Sequence, residues 1–289
     1  MNVMPLPQRS WADDRAALRA VVEEEGCGLA TIVGIEGSFS RRLGAQLAVH
    51  RDGHVTGSLA DGCLERQLAS EMQAGGERRV MRFGAGSPLI DFRLPCGSGL
   101  DIMVDPTPDR AACAAVLARL DAREEAWLDL PVPAGAGLLR QRGFVPALRL
   151  VLFGEGPELD AMAALARAAG VEAHPHGKDD PALALGRAPE GLAADCWTAI
   201  LLLFHDHEWE QPILEWALST PAAFIGAQGG RQAREERRAR LASAGLAPVQ
   251  IDRVKSPVGI VQHSREPVPL ALSALAQVVG EYERLHPHA

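Results

Sequence analysis

The sequence predicts an α/β protein in two parts: an N-terminal mixed α+β domain, then a Rossmann-like domain with a doubly wound parallel sheet. Three observations carry this. From residue 148 onward, short apolar runs alternate with stretches of helical spacing, the pattern of strand–helix units. Two of those runs, 148–153 and 199–204, are apolar almost throughout, as in strands buried on both faces of a parallel sheet. Before residue 120 the texture differs, because glycines and turns cut the chain into short apolar segments.

Taken in order, residues 11–25 have helical spacing, with Leu18, Val21 and Val22 among alanines, and Gly26 and Gly28 stop the helix. Residues 29–35 read as a buried strand. Residues 46–50 and 54–57 read as two strands joined by Arg51-Asp52-Gly53, a hairpin signal. Leu64 and Leu68, four apart, mark a helix over 63–72, and 79–83 and 100–104 read as further strands. A helix over 111–120 follows the loop Asp105-Pro106-Thr107-Pro108. The stretch 121–147 is broken by Pro131, Pro133, Gly135, Gly137 and Pro146; it reads as a linker and transition holding a strand or two. This sets the expected domains at 1–120 and 148–289. In the second, strand 148–153 ends in Gly154-Glu155-Gly156, and Gly170 closes a helix over 159–169. Strands at 171–174, 199–204 and 222–225 and helices at 209–218, 233–244 and 269–285 complete it.

Composition narrows the function classes. The 289 residues hold 29 Lys plus Arg against 37 Asp plus Glu, a net charge of −8. That balance argues against nucleic acid, where clustered cations must neutralise phosphates, and one Tyr with seven Phe offers few stacking platforms. No apolar run reaches the length of a membrane span. The first ten residues carry Pro5 and Pro7 but no basic-then-apolar leader, so a cytoplasmic protein is expected. Five scattered cysteines, an odd number, fit reduced thiols better than a disulfide scaffold.

Four segments could carry chemistry. Gly154-Glu155-Gly156, at a strand-to-helix turn, could cradle a phosphate on helix N–H groups. The third fingerprint position is Leu159, however, and His174-Pro175-His176 stands where a dinucleotide site has its ribose-binding acid, so NAD(P) is not expected. His205-Asp206-His207 follows a buried strand, at the sheet edge where α/β proteins hold ligands. Cys63 opens a helix after Asp61-Gly62, and Cys96 precedes Gly97-Ser98-Gly99. A thiol at a helix N-terminus is a good nucleophile or soft-metal ligand. Cys27, Cys113 and Cys196 sit in apolar contexts and read as packing. Lastly, Gly37-Ser38 followed by Arg41-Arg42 could grip a phosphate or carboxylate, or form a solvated hairpin loop.

In order along the chain, these segments resemble the XdhC/CoxI family, the xanthine dehydrogenase accessory factors. The resemblance runs through Ala30-Thr31, Gly37-Ser38, Arg42-Leu43-Gly44-Ala45, Gly57-Ser58, Gly62-Cys63-Leu64-Glu65 and Cys96-Gly97-Ser98-Gly99. It continues through the strand and glycines at 151–156, His205-Asp206-His207, 224–230, 237–245 and Pro257-Val258-Gly259-Ile260. The chain departs from the family pattern at Ser40, Asp61, Pro157, Gly230 and after Ile260.

The resemblance implies a chaperone rather than a turnover enzyme. Such a chaperone binds the molybdopterin form of the molybdenum cofactor as cargo and protects it while a cysteine desulfurase supplies the sulfido ligand. It then assists insertion into a xanthine dehydrogenase-like molybdoenzyme, and it is expected to be a homodimer. The resemblance makes Cys63 and Cys96 candidate molybdenum-facing thiols. It adds Gly37, Ser38, Arg42, Gly62, Glu65, Gly97, Gly154, Gly156, His205 and Gly226 as cofactor-binding residues. The alternatives are an NAD(P)-dependent oxidoreductase using the Rossmann-like domain, and a ligand-free docking scaffold for a molybdoenzyme.

Overall fold

The computed structural model describes residues 15–60, 62–88, 97–133, 137–261, 264 and 266–287. The chain divides into two compact units, one of the described residues up to Pro146 together with His286 and Pro287, and one spanning Ala147–Leu285.

The first unit contains α1 (Ala16–Glu23), β1 (Gly28–Glu36), β2 (Gln46–Val49), β3 (Val55–Gly57), α2 (Cys63–Gln73), β4 (Arg79–Gly84), β5 (Gly99–Asp105), α3 (Arg110–Asp121), β6 (Ala126–Asp129) and β7 (Gln141–Phe144). Five of its strands form an antiparallel sheet in the order β3-β2-β1-β5-β4. The central strand β1 is buried on both faces because its residues alternate between two cores. Ala30 and Ile32 face Leu64 and Leu68 of α2. Leu29 and Val33 join a core with Leu18 and Val21 of α1 and Val116 and Leu120 of α3. Strands β6 and β7 pair as an antiparallel hairpin inside the stretch 121–147. Their alternating residues Ala126, Leu128 and Phe144 fill that second core, which is why the proline-broken segment is ordered there. The register Glu36↔Gly99, Leu47↔Gly57 and Gly84↔Gly99 brings the loops after β1, β3 and β4 to one edge of the sheet.

The second unit contains β8 (Arg149–Gly154), α4 (Gly156–Ala168), β9 (Glu172–His176), β10 (Thr198–Leu203), α5 (His207–Ser219), β11 (Phe224–Ala227), α6 (Arg231–Ser243), α7 (Pro248–Ile251), β12 (Val254–Lys255) and α8 (Pro267–Glu283). All five strands are parallel, in the order β9-β8-β10-β11-β12. The expected Rossmann-like sheet is therefore present, and the chain switches direction between β8 and β10. Helix α4 begins at Gly156, before the expected 159, because the fixed φ of Pro157 suits a first helical turn. Helix α5 begins at His207, where the Asp206 carboxylate accepts from Glu208 N at 3.0 Å. Elements α7 and β12, of four and two residues, are too short to leave a periodicity in the sequence. Among the described residues, no helix is long and apolar enough to cross a membrane.

Candidate functional site

Each unit carries an edge where loops gather. In the first unit that edge is organised by Glu65, the third residue of α2, which is 6% exposed. Its Oε1 accepts from Leu59 N at 2.9 Å and Ala60 N at 2.6 Å, and its Oε2 from Gly62 N at 2.7 Å. No cation pairs with Glu65 among the described residues. Burial pushes its carboxyl up, but the hydrogen bonds from Ala60, Gly62 and Leu59 outweigh this and hold it below the ordinary carboxylate range. The glycine before the helix has φ +99°, a conformation that L side chains rarely adopt. The one-way cap from Gly62 N to the Glu65 carboxylate and this turn together fix where α2 begins.

What the turn presents is Cys63, the first residue of α2, exposed. The Arg66 guanidinium, one helical turn on, donates to its Sγ at 3.1 Å. The other described thiols differ. Cys27 and Cys113 are buried, and burial pushes each thiol up to about 11, so both stay protonated and inert at neutral pH. Cys196 is exposed, whereas the sequence reading has it as packing. Cys96 lies outside the described residues.

The neighbouring loops are tied to this edge by two further contacts. Arg41 Nε donates to the Ser58 carbonyl at 3.1 Å, joining the loop after β1 to the loop before α2. Arg42 is half-buried. The Ser98 hydroxyl, 2% exposed, donates to the Ser38 carbonyl, so Gly37, Ser38 and Gly97 lie together. Gly37 and Gly97 have φ +83° and +70°. Glycine loops, two arginines and one exposed thiol thus share the edge. A soft metal carried by its own chelating ligand needs one such sulfur and donors for anionic oxygens. Among the described residues, no group of three or more His, Cys, Asp or Glu could hold a metal ion.

In the second unit the switch-point crevice lies between the ends of β8 and β10. Gly154 packs tightly there, since a Cβ would meet Leu203 Cβ at 2.8 Å. An ionic bridge crosses this crevice: Lys178 Nζ lies 2.9 Å from Glu155 Oε1 and 3.5 Å from Asp206 Oδ2. The hydrogen bond to Glu155 holds the Lys178 ammonium above its usual range. Glu155 stands at the N-terminal boundary of α4 without a side-chain capping bond, and Glu158 stands in its first turn. Two carboxylates and the N–H-less Pro157 thus offset the positive end of the helix that the glycine turn offers.

The open space lies one strand over. A cleft of about 730 Å³ is lined by His205, Gln228, Gly229, Arg231, Arg234 and Glu158 among others. His205 Nε2 is 3.9 Å from Glu158 Oε1 and 3.3 Å from Gln228 Nε2. Gln228 is held beneath: its Nε2 donates to Leu203 O at 2.8 Å, and its carbonyl accepts from Arg237 at 2.9 Å. Arg237 and Glu210 form an ion pair at 2.6 Å with both side chains 3% exposed, and Arg237 also donates to Ser256 Oγ at 2.6 Å. His207 lies 3.3 Å from Glu210.

The structure therefore brings Gly37, Ser38 and Gly97 together, and Gly62 with Glu65 and Cys63. His205 lines the cleft, while Gly154 and Gly156 stand at the bridged crevice. Gly226 is elsewhere: it is buried in the middle of β11, where a Cβ would meet Leu201, Phe224 and Val258 at 2.7–2.8 Å. Sequence reasoning missed Arg66, Lys178, Gln228, Arg231, Arg234 and Arg237. Arg231 and Arg234 left a signal in the order Gly-Gly-Arg with no acid in the first helical turn. The buried Arg237–Glu210 pair left none, because its partners are 27 residues apart.

Comparison with known proteins follows this geometry. The profile of the XdhC and CoxI family matches residues 20–84, and that of the XdhC Rossmann domain matches residues 150–278. The chain is 33% identical over 288 residues to the molybdenum cofactor insertion chaperone PaoD of Escherichia coli K12, covering 94% of this chain and 88% of that protein. Its fold is similar to a Bacillus halodurans crystal structure described as a xanthine dehydrogenase. The TM-score is 0.71 at 19% identity, covering 96% of this chain and 97% of the other.

Proposed function

The chain belongs to the XdhC and CoxI family, and from that premise we propose that it is a molybdenum cofactor chaperone. It takes the molybdopterin-type cofactor as cargo and shields it while a cysteine desulfurase provides the terminal sulfur. It then delivers the cofactor to a xanthine dehydrogenase-type apoenzyme. It acts as an accessory protein, not by turnover.

The observation that supports this most is Cys63. It is the exposed thiol at the start of α2, with Arg66 3.1 Å from its sulfur and Glu65 fixing the turn before it. A thiolate there suits molybdenum as a soft ligand, and the N–H groups at the helix start favour negative charge. Arg41, Arg42 and the Gly37–Ser38 loop lie on the same edge to receive the oxo groups and the pterin phosphate. Cys96 is the second candidate thiol on sequence grounds. The nicotinamide reading rests on Gly154 and Gly156, where Glu155, Glu158 and the Lys178 bridge oppose a pyrophosphate.

The test is protein purified from a molybdenum-replete host. Elemental analysis and the ultraviolet–visible spectrum are expected to show bound molybdenum and pterin. Protein free of both, which instead saturates with micromolar NADH in a fluorescence titration, would overturn the reading.

A further inference from the structure

Helix α8 buries one face and leaves another uncovered by the described residues. Ala271, Ala274, Leu275, Val278 and Tyr282 are buried, and α8 packs on α4. The uncovered face carries Val268, Leu272, Ala276 and Gly280, spaced by four and so aligned in one stripe. Val268 and Leu272 are 59% and 60% exposed, and Ala276 and Gly280 are exposed as well. Ile260 and Val261, 65% and 57% exposed, broaden the stripe. Their N–H groups donate to Ser273 O at 3.4 Å and Ser273 Oγ at 2.7 Å, which holds them beside Leu272. Contiguous exposed apolar surface of this kind marks an interaction site, unlike apolar residues scattered singly.

Two features specify what covers it. The first is size. The stripe has large side chains in its N-terminal half and small ones in its C-terminal half. Glycine weakens a helix interior, and nothing among the described residues requires it at position 280. Its φ is not left-handed, and a Cβ there would meet no heavy atom within 4 Å. Gly280 is therefore an open hole, and Leu272, two turns away, is a knob. One copy laid antiparallel on another puts knob over hole twice.

The second is charge. No charged side chain falls between Glu266 and Glu281, so two such faces meet without like charges in the seam. The ends carry opposite signs, with Glu266 exposed before the helix and Arg284, its side chain 69% exposed, after it. The pair of Arg284 with Glu281 on its own helix is partly exposed and easily exchanged. Antiparallel alignment brings Arg284 of each copy toward Glu266 of the other.

We propose that a second copy of this chain covers α8, with the helices antiparallel about a two-fold axis at Ala276. Leu272 of each copy seats over Gly280 of the other, Ala276 meets Ala276, and Ile260 flanks the seam. Such an interface is self-complementary and closes on itself. Val261 and Leu270 also line the cleft beside His205, so the second copy stands at its rim. The proposal does not rest on the molybdenum reading.

The test is sedimentation equilibrium of the full chain over the micromolar range. Wild-type protein is expected to be a dimer. Leu272→Glu is expected to raise the dimer dissociation constant at least about tenfold, with unchanged circular dichroism. Gly280→Leu is expected to do the same by filling the hole, although the substitution favours the helix itself, which separates loss of the dimer from loss of the fold. Glu266→Arg and Arg284→Glu are each expected to weaken the dimer by about two- to fivefold, and the two together to restore it. A monomeric wild type, or a dimer indifferent to Leu272→Glu and Gly280→Leu, overturns the proposal. Failure of the charge swap to restore association overturns the antiparallel arrangement.

Discussion

Glu65 in the first unit and Arg237 in the second occupy comparable posts, yet they are held in opposite ways. Each is a buried charge under a glycine turn at a sheet edge, 6% and 3% exposed. Glu65 is satisfied chiefly by the backbone N–H groups of Leu59, Ala60 and Gly62, with the Ser58 hydroxyl donating at 3.4 Å. Arg237 is satisfied by a counter-charge, Glu210, plus Ser256 and the Gln228 carbonyl. In both, the buried group spends its hydrogen bonds inward and fixes the loop. The groups beside it, Cys63 with Arg66 and Arg231 with Arg234, are exposed. The difference lies in what removal leaves behind: a set of unpaired N–H groups in one case, an uncompensated charge in the other.

That difference orders the predictions. Arg237→Met strands Glu210 in the core and is expected to cost about 3–5 kcal/mol of stability. Adding Glu210→Leu should recover much of it. Urea denaturation of the single and double variants reads this directly, and a double variant as unstable as the single one would break the comparison. Glu65→Ala is expected to cost about 1–3 kcal/mol, less than Arg237→Met. Its signature is faster hydrogen exchange at Ala60 and Gly62.

The pH dependence of stability sharpens the contrast between buried thiols and buried carboxylate. Cys27 and Cys113 are raised from 9.0 to about 11. The folded state therefore keeps protons that the unfolded chain has lost, and stability falls as pH rises from 9 toward 11. Cys113→Ala should flatten that fall, seen in melting temperature against pH. Glu65 is depressed below its ordinary 4.5. Its contribution is present above that value and is lost as pH falls below it; Glu65→Gln should lessen the acid sensitivity. The smallest effect belongs to Lys178→Met, whose partly exposed bridge is worth at most about 1 kcal/mol.

Much of the fold was legible because its signals are local. The apolar run at 199–204, the hairpin turn Arg51-Asp52-Gly53 and the leucine spacing of α2 each name one element. The hairpin β6–β7 was harder to read, because Pro131 and Pro133 interrupt a pattern whose order comes from packing on Leu29 and Val33. The candidate site was legible where it is a motif. Gly62, Cys63 and Glu65 fall within four positions, and the capping geometry follows from that spacing. It was opaque where charge comes from a distance. Lys178 reaches Glu155 and Asp206 only once β8, β9 and β10 are side by side. That bridge distinguishes the crevice at Gly154 from the open cleft at Gly229, although both turns read alike in one dimension.

The most direct measurement of the central claim is the molybdenum content of wild-type and Cys63→Ser protein expressed side by side in a molybdenum-replete host. The account predicts about one molybdenum per wild-type chain and at least about a tenfold loss in the variant, with unchanged circular dichroism. Equal molybdenum in the two proteins would contradict it.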